Sequence, residues 1–233
     1  MLEQLQEAVW AANLQLVQAG LVVLTWGNAS SVDRERGIVA IKPSGVAYDA
    51  LQPDDIVLVS LATGDPLPGE RLRPSSDTPT HVCLYQRFPL LGGIVHTHSR
   101  QATSWAQACR PIPCYGTTHA DTFHGEVPLC RELTADEVQG AYEWQTGQVI
   151  AECFTEADCN PLHVPAVLVP HHGPFTWGTT PAQAVENAII LEEVATLATL
   201  TEALRPQCER IPDVLQEKHF LRKHGAGAYY GQK

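Results

Sequence analysis

Short apolar segments alternate along this chain with longer amphipathic ones, and two of the short segments are separated by only a few residues. Residues 30–32 and 38–42 flank the polar stretch 33–37, which ends in Gly37. Such a short connection favours a hairpin, in which the two strands are antiparallel. Because strands and helices nevertheless interleave along the chain, we predict one α/β domain with a mixed or antiparallel sheet, not a strictly doubly wound fold.

The spacing of apolar residues predicts the other elements. Thr180 as the cap and Pro181 at the first position mark the start of the longest helix. No repeat or linker is visible, so we expect residues 1–233 to form a single domain. Helices are predicted over residues 2–18, 78–87, 99–109 and 181–204, with a largely helical stretch over 134–154. Strands are predicted over residues 21–24, 56–61, 93–98 and 164–169.

Charge and composition exclude several classes of partner. The formal net charge of −11 argues against nucleic acid or an anionic membrane surface as a partner. No apolar run approaches the ~18 residues of a membrane span, and Glu3 and Glu7 stand where a signal peptide would be basic. The 7 cysteines form no C-x-x-C pair, which is typical of reduced thiols. We therefore expect a cytoplasmic protein with no nucleic-acid and no membrane partner.

Histidines at the ends of two predicted strands indicate a metal site. His96 and His98 should point to the same face because side chains alternate along a strand, although a solvated polar face would give the same pattern. One residue of the pair His171 and His172 could add a third nitrogen, and Asp77 an oxygen. Such a donor set suits Zn²⁺ or a similar divalent cation.

Three polar turns predict an anion site beside that metal. Lys42, Ser44 and Gly45 supply a cation, a hydroxyl and an accessible backbone, and a helix begins just after Ser75 and Ser76. Gly27 and Asn28 form the third turn. Each turn alone is weak evidence for an anion site, since Ser-Ser-Asp before a helix is usually a plain N-cap. Together they favour a small phosphorylated substrate.

Acid/base groups are less well defined by residue type. Asp121 lies in a loop near His119, and Tyr229 and Tyr230 follow glycines and a basic run. On residue type alone, a turn-forming aspartate and packed tyrosines are the better interpretation. No G-x-G-x-x-G or Walker A motif is present, so a nucleotide cofactor has no support.

Taken together, these motifs closely resemble the metal-dependent class II aldolase/epimerase family. Two further motifs resemble the epimerase branch of that family, and the likeness extends over nearly the whole chain. The family motifs are Thr25-Trp26-Gly27-Asn28, Lys42-Pro43-Ser44-Gly45, Pro74-Ser75-Ser76-Asp77-Thr78-Pro79-Thr80-His81 and His96-Thr97-His98-Ser99. The epimerase motifs are Gly116-Thr117-Thr118-His119-Ala120-Asp121 and the tail over residues 221–232.

The resemblance implies a fold, an assembly and a set of site residues. It implies a three-layer α/β/α domain around a central, mainly antiparallel sheet, and a ring-shaped homotetramer in which the tail, residues 212–233, brings Tyr230 to a neighbouring active site. Asp121 and Tyr230 would be the acid/base pair, with His219 near the phosphate or the catalytic region. Asp77, His96, His98 and His172 would bind Zn²⁺, or another divalent metal such as Mn²⁺ or Co²⁺. The phosphate would lie among Gly27, Asn28, Lys42, Ser44, Gly45, Ser75 and Ser76.

The implied reaction is the inversion of C4 in a phosphorylated pentulose, in pentose catabolism such as that of L-arabinose. A carbanion at C4 would be unstabilised, whereas retro-aldol cleavage of the C3–C4 bond leaves an enediolate that a divalent metal can stabilise. Alternatives are a class II sugar-phosphate aldolase, which resembles this chain but carries Glu at the position of Asp77, and a non-catalytic adducin-like module, which lacks metal ligands. Close relatives read His-Ser where this chain has Pro170 and His171, which leaves His171 as a competitor beside His172.

Overall fold

The computed structural model describes residues 2–230, and these contain a six-stranded sheet and eight α-helices. The strand order is β3-β2-β1-β4-β6-β5, and every neighbouring pair is antiparallel. The predicted hairpin is confirmed as the β1–β2 pair. The strands are β1 (Asn28–Asp33), β2 (Ile38–Ile41), β3 (Val57–Ser60), β4 (Gly93–His96), β5 (Ala166–Val169) and β6 (Gly173–Gly178).

Helices cover both faces of this sheet. Val95 of β4 packs in a cluster with Leu16 and Val185, whereas its neighbour Ile94 packs in the largest core cluster with Leu84 and others. Because adjacent strand residues point to opposite faces, the sheet is the middle layer, and the predicted α/β class is confirmed. The helices are α1 (Leu2–Gln18), α2 (Thr78–Arg87), α3 (Arg100–Gln107), α4 (Thr117–Ala120), α5 (Ala135–Gln139), α6 (Tyr142–Glu156), α7 (Pro181–Leu204) and α8 (Asp213–His224).

Local sequence signals locate several helix ends correctly. The bounds of α1 and α7 match the predictions, and the Thr180 hydroxyl accepts a hydrogen bond from the Gln183 backbone N–H at 3.1 Å. The stretch 134–154 is two helices, because Gly140 adopts a non-helical ψ of −131° between α5 and α6. None of the helices in the described part of the chain is long and apolar enough to cross a bilayer.

Two predicted strands are wrong in place or extent, and two elements of the structure were not predicted. Residues 21–24 form turns, with Leu24 at φ 54° and 75% exposed, so the sheet begins only at Asn28. Strand β4 ends at His96, so His98 lies beyond it. Strand β6, which contains Gly173 and Pro174, and helix α8 in the polar tail were not predicted, because neither has a strong apolar period.

Candidate active site

One cavity brings together all of the predicted metal ligands and all of the predicted phosphate-binding residues. It has a volume of about 420 Å³ and lies where Asn28, the first residue of β1, pairs with His96, the last residue of β4. Segments that are far apart in the sequence meet at these strand ends. The predicted residues that line the cavity are Gly27, Asn28, Lys42, Ser44, Gly45, Ser75, Ser76, Asp77, His96, His98 and His172.

Three histidines converge in this cavity. The Nε2 atoms of His96 and His98 are 3.1 Å apart, and the ring of His172 lies 4.7 Å and 5.1 Å from their ring centroids. One ligand atom from each ring lies within 4.8 Å of the other two. Three imidazoles at this spacing can bind a single divalent cation and leave a coordination position open.

The unpredicted strand β6 orients the first of these histidines. The Nδ1 atom of His96 donates a hydrogen bond to the Pro174 carbonyl at 2.9 Å, and the ring stacks on Phe175 at 4.2 Å. Since Nδ1 carries the hydrogen, Nε2 presents its lone pair toward the other two histidines. A backbone carbonyl on the second nitrogen is the usual support of a metal-binding histidine.

Burial keeps two histidines of the triad, His98 and His172, in the neutral form that binds metals. Burial, together with the neighbouring His96 and His98, lowers the pKa of His172 to about 3. Burial, together with His96, also lowers the pKa of His98. The Tyr142 hydroxyl lies 3.3 Å from His172 Nδ1 and supports that ring. At neutral pH the imidazoles of His98 and His172 therefore need not lose a proton before they bind a cation.

The carboxylate of Asp77 faces the triad but is not one of the three converging groups. It makes no capping hydrogen bond to α2 and instead accepts one from Asn28 Nδ2 at 2.7 Å. Burial would raise the pKa of Asp77, but nearby His96 and His81 and the Asn28 hydrogen bond together hold it below its ordinary value. Asp77 is therefore ionised beside the triad, and its role as a fourth ligand stays a prediction.

Lys42 is a buried cation that lines the same cavity. Its residue is 1% exposed, and Nζ donates to the Val46 carbonyl at 2.8 Å and lies 4.6 Å from the centroid of the Tyr48 ring. Burial lowers the pKa of Lys42 to about 8. No carboxylate in residues 2–230 forms an ion pair with Lys42. A buried ammonium without a carboxylate is suited to an anionic ligand.

The loops around Lys42 are joined to each other. The Ser75 backbone N–H donates to the Lys42 carbonyl at 3.0 Å, and Asn28 Nδ2 donates to the Ser75 hydroxyl at 3.0 Å. Gly27 has a φ of +84°, and a Cβ atom there would lie 2.9 Å from the His96 carbonyl oxygen. Only glycine allows this turn to approach strand β4 so closely.

The predicted acid/base residues form a second cluster. None of them is among the described residues that line the cavity. His219 Nδ1 lies 3.0 Å from an oxygen of Asp121, and Arg222 donates two hydrogen bonds to the same carboxylate, at 3.1 and 2.8 Å. The Arg222 guanidinium also lies 4.5 Å from the centroid of the Tyr230 ring. Residues 231–233 of the predicted tail, which include the end of its motif, lie outside the described residues.

The sequence matches the model of the family described as Class II Aldolase and Adducin N-terminal domain over residues 7–199. This chain belongs to the class II aldolase and adducin family. The chain is similar to two proteins named L-ribulose-5-phosphate 4-epimerase UlaF, one from Salmonella paratyphi B and one from Salmonella typhi. Each is 53% identical over 232 residues, which cover 100% of this chain and 100% of the relative.

Solved structures share the fold of this class II aldolase family member. An L-fuculose 1-phosphate aldolase superposes with a TM-score of 0.75 at 24% identity, covering 93% of this chain and 94% of its own. An aldolase II superfamily protein from Pseudomonas syringae superposes with a TM-score of 0.77 at 14% identity, covering 97% and 88%. At these identities the likeness extends to the fold alone.

Sequence reasoning missed several residues of both clusters. Trp26, Tyr142 and Glu143 line the cavity, and the Trp26 ring lies 6.4 Å from that of His98. Tyr142 and Glu143 carry no local motif, since only the packing of α6 brings them to the histidines. Arg222 belongs to the tail motif, but the sequence gives no sign that it would pair with Asp121, 101 residues earlier.

Proposed function

We propose that this chain is an L-ribulose-5-phosphate 4-epimerase, which interconverts L-ribulose 5-phosphate and D-xylulose 5-phosphate. The observation that carries the proposal is that a histidine triad and a buried Lys42, which forms no ion pair among the described residues, line one cavity in a chain 53% identical to such epimerases over its full length. The substrate needs both features: a cation site for its carbonyl end and an anion site for its phosphate.

The phosphate end of the substrate is proposed to bind at the Lys42 side of the cavity. The Lys42 ammonium has three hydrogens, and two of them point to the Val46 and Pro43 carbonyls at 2.8 and 3.3 Å. The third is available to a phosphate oxygen. Ser75 and Ser76 stand just before α2, so their hydroxyls can add further donors.

The carbonyl end is proposed to lie at the triad, with Asp77 as the fourth ligand of Zn²⁺, or of another divalent cation such as Mn²⁺ or Co²⁺. A divalent cation there would stabilise the negative charge that develops on the substrate oxygens when the C3–C4 bond breaks. Hydrogen bonds within the chain orient the ligands at this end. Asn28 holds the Asp77 carboxylate at 2.7 Å, and the Pro174 carbonyl holds His96 in the required tautomer.

Asp121 and Tyr230 are proposed as the acid/base pair that serves the C4 hydroxyl. Cleavage requires that this hydroxyl lose a proton, and re-addition to the opposite face of the rotated aldehyde requires that a proton be returned there. Burial would raise the pKa of Asp121, but Arg222 and His219 hold it below its ordinary value, so the carboxylate is ionised at neutral pH. His219, at 3.0 Å, is proposed to position Asp121 and exchange protons with it.

We propose that both acid/base residues reach the metal cavity from one neighbouring subunit of a homotetramer. This proposal is supported by Arg222, which contacts Asp121 and Tyr230 of the same chain, while neither residue lines that chain's own cavity. The tail that carries Tyr230 lies beyond residues 7–199, which match the family model, but within the region shared with the epimerases. The enzyme would act in pentose catabolism such as that of L-arabinose.

The direct test is to incubate the full chain with L-ribulose 5-phosphate and a divalent metal and to separate the products. An epimerase forms D-xylulose 5-phosphate without free glycolaldehyde phosphate. Accumulation of glycolaldehyde phosphate and dihydroxyacetone would identify an aldolase instead. Absence of turnover with every divalent metal tried, in protein that binds the metal, would favour an adducin-like binding module.

A further inference from the structure

A second group of metal-ligand side chains lies on the surface, outside the cavity described above. Cys109, Glu132 and His171 each present one ligand atom within 4.8 Å of the other two. Within residues 2–230, Cys109 is the only cysteine that belongs to such a group. The mechanism proposed above uses none of these three residues.

Two of the three distances in this group are close to those of a tetrahedral zinc site. His171 Nε2 lies 3.4 Å from Cys109 Sγ and 3.6 Å from an oxygen of Glu132. Zn–S bonds of about 2.3 Å and Zn–N and Zn–O bonds of about 2.0–2.2 Å put tetrahedral ligand atoms roughly 3.4–3.6 Å apart. One imidazole nitrogen therefore stands at the correct spacing from both a sulfur and an oxygen donor.

The backbone holds two of the donors in conformations that ordinary residues avoid. Cys109 has a φ of 51° and His171 a φ of 58°, in the left-handed region that favours glycine. The His171 backbone N–H donates to the Ala106 carbonyl at 3.1 Å, which ties the β5–β6 turn to the end of α3. Strained non-glycine backbone concentrates at functional sites. The fold thus brings an imidazole and a thiol together by two strained turns.

The third donor is free to complete the group. Among the ion pairs of the described residues, Glu132 takes part only in the one with His171, while the neighbouring Arg131 is held by Glu137 and Glu152. The Glu132 and His171 side chains are 70% and 66% exposed, so a cation can enter from solvent.

We infer that Cys109, Glu132 and His171 form a second divalent-metal site, distinct from the histidine triad, with a preference for Zn²⁺ and other cations that accept thiolate. A sulfur, a nitrogen and an oxygen donor suit these cations better than Mg²⁺ or Ca²⁺. On binding, the Cys109 thiol releases its proton to solvent and the fourth position stays open to water. Because His171 precedes His172, a cation here would fasten the turn that carries a ligand of the triad. The inference goes beyond the proposed epimerase activity and does not depend on it.

Cobalt spectroscopy separates this site from the triad. The full chain is dialysed against a chelator and titrated with Co²⁺ under a phosphine reductant that keeps thiols free. The triad offers only nitrogen and oxygen donors, so a near-ultraviolet thiolate-to-cobalt charge-transfer band can come only from a cysteine. We expect wild-type protein to develop this band and Cys109→Ser to lose it together with about one bound Co²⁺ per chain.

Two further variants make the test decisive. Glu132→Gln, an exposed change that does not endanger folding, should keep the band but weaken the Co²⁺ affinity that it reports by about 10-fold or more. Cys208→Ser is the matched control and should leave the band unchanged, because Cys208 belongs to no such group among the described residues. Absence of the band in wild type, its survival in Cys109→Ser or its loss in Cys208→Ser would overturn the inference.

Discussion

The carboxylate of Asp121 is held at two points by the guanidinium of Arg222, with Nε 3.1 Å from Oδ1 and Nη2 2.8 Å from Oδ2. The same guanidinium lies 4.5 Å from the centroid of the Tyr230 ring. Asp121 and Tyr230 of one chain are thus linked through a single side chain. A paired arginine of this kind lowers the pKa of its carboxylate partner and orients it.

Replacing Arg222 should therefore change the pH dependence of the reaction. Arg222 helps to lower the pKa of Asp121, so Arg222→Gln should raise that pKa. If Asp121 is the base, activity is lost as pH falls through this pKa, and the acidic limb of the kcat/KM profile should move to higher pH. Arg36→Gln, which breaks the surface pair with Asp33, is the matched control. An acidic limb that does not move in Arg222→Gln would exclude Asp121 as the titrating base.

Loss of one triad histidine should remove the metal. We expect His98→Asn to lose about one divalent cation per chain, that of the triad, after exhaustive dialysis, since the remaining donors bind a cation much less well than the full set. Elemental analysis of the dialysed protein measures this. His163→Asn, an exposed histidine outside the triad, should keep its metal content. Equal metal content in the two variants would contradict the assignment of the triad.

The two serines before α2 should contribute to phosphate affinity. Hydrogen bonds to a charged group contribute about 1.5–3 kcal/mol each, so Ser75→Ala with Ser76→Ala should raise KM by at least about 10-fold. Steady-state kinetics with L-ribulose 5-phosphate checks this. Ser104→Ala on α3, whose hydroxyl donates to the Arg100 carbonyl, is the control. A normal KM in the double variant would move the phosphate to another part of the cavity.

Loss of the Lys42 proton should make kcat/KM fall at high pH, which gives the pH profile a basic limb. Its pKa is lowered to about 8, so the free enzyme loses this positive charge, and with it phosphate affinity, as pH rises through that value. We expect kcat/KM, which reports the free enzyme, to fall above about pH 8. In Lys42→Arg the guanidinium stays charged, and this limb should vanish even if activity is lower. A limb that persists unchanged in Lys42→Arg would belong to another group.

Subunit mixing should show whether the triad and the acid/base cluster of one active site come from different chains. If the triad and the acid/base cluster of one active site come from different chains, His98→Asn mixed with Tyr230→Phe should regain activity at up to about a quarter of the sites. Asp121→Asn mixed with Tyr230→Phe should regain none, because the two residues act from the same chain. Native mass spectrometry confirms that mixed oligomers have formed. Recovery in the second mixture would show that Asp121 and Tyr230 come from different chains.

The sequence by itself determined the features that depend on neighbouring residues. Thr180 and Pro181 start α7 through hydrogen bonds within one turn, and Gly37 closes the β1–β2 hairpin. The pairing of His96 with His98 also follows from a two-residue spacing, and it survives although β4 ends at His96. The turns that we predict to bind phosphate could be selected from the sequence because the chemistry of serine, lysine and glycine suits an anion.

Only the tertiary structure decided which distant side chains meet. Strand β6 has little apolar period of its own, yet it lies between β4 and β5 and orients His96 through the Pro174 carbonyl. Asp121 meets Arg222, and Cys109 meets His171, across 101 and 62 residues of chain. Such contacts depend on how helices and turns pack on the sheet, and packing is a property of the whole core that no local pattern encodes.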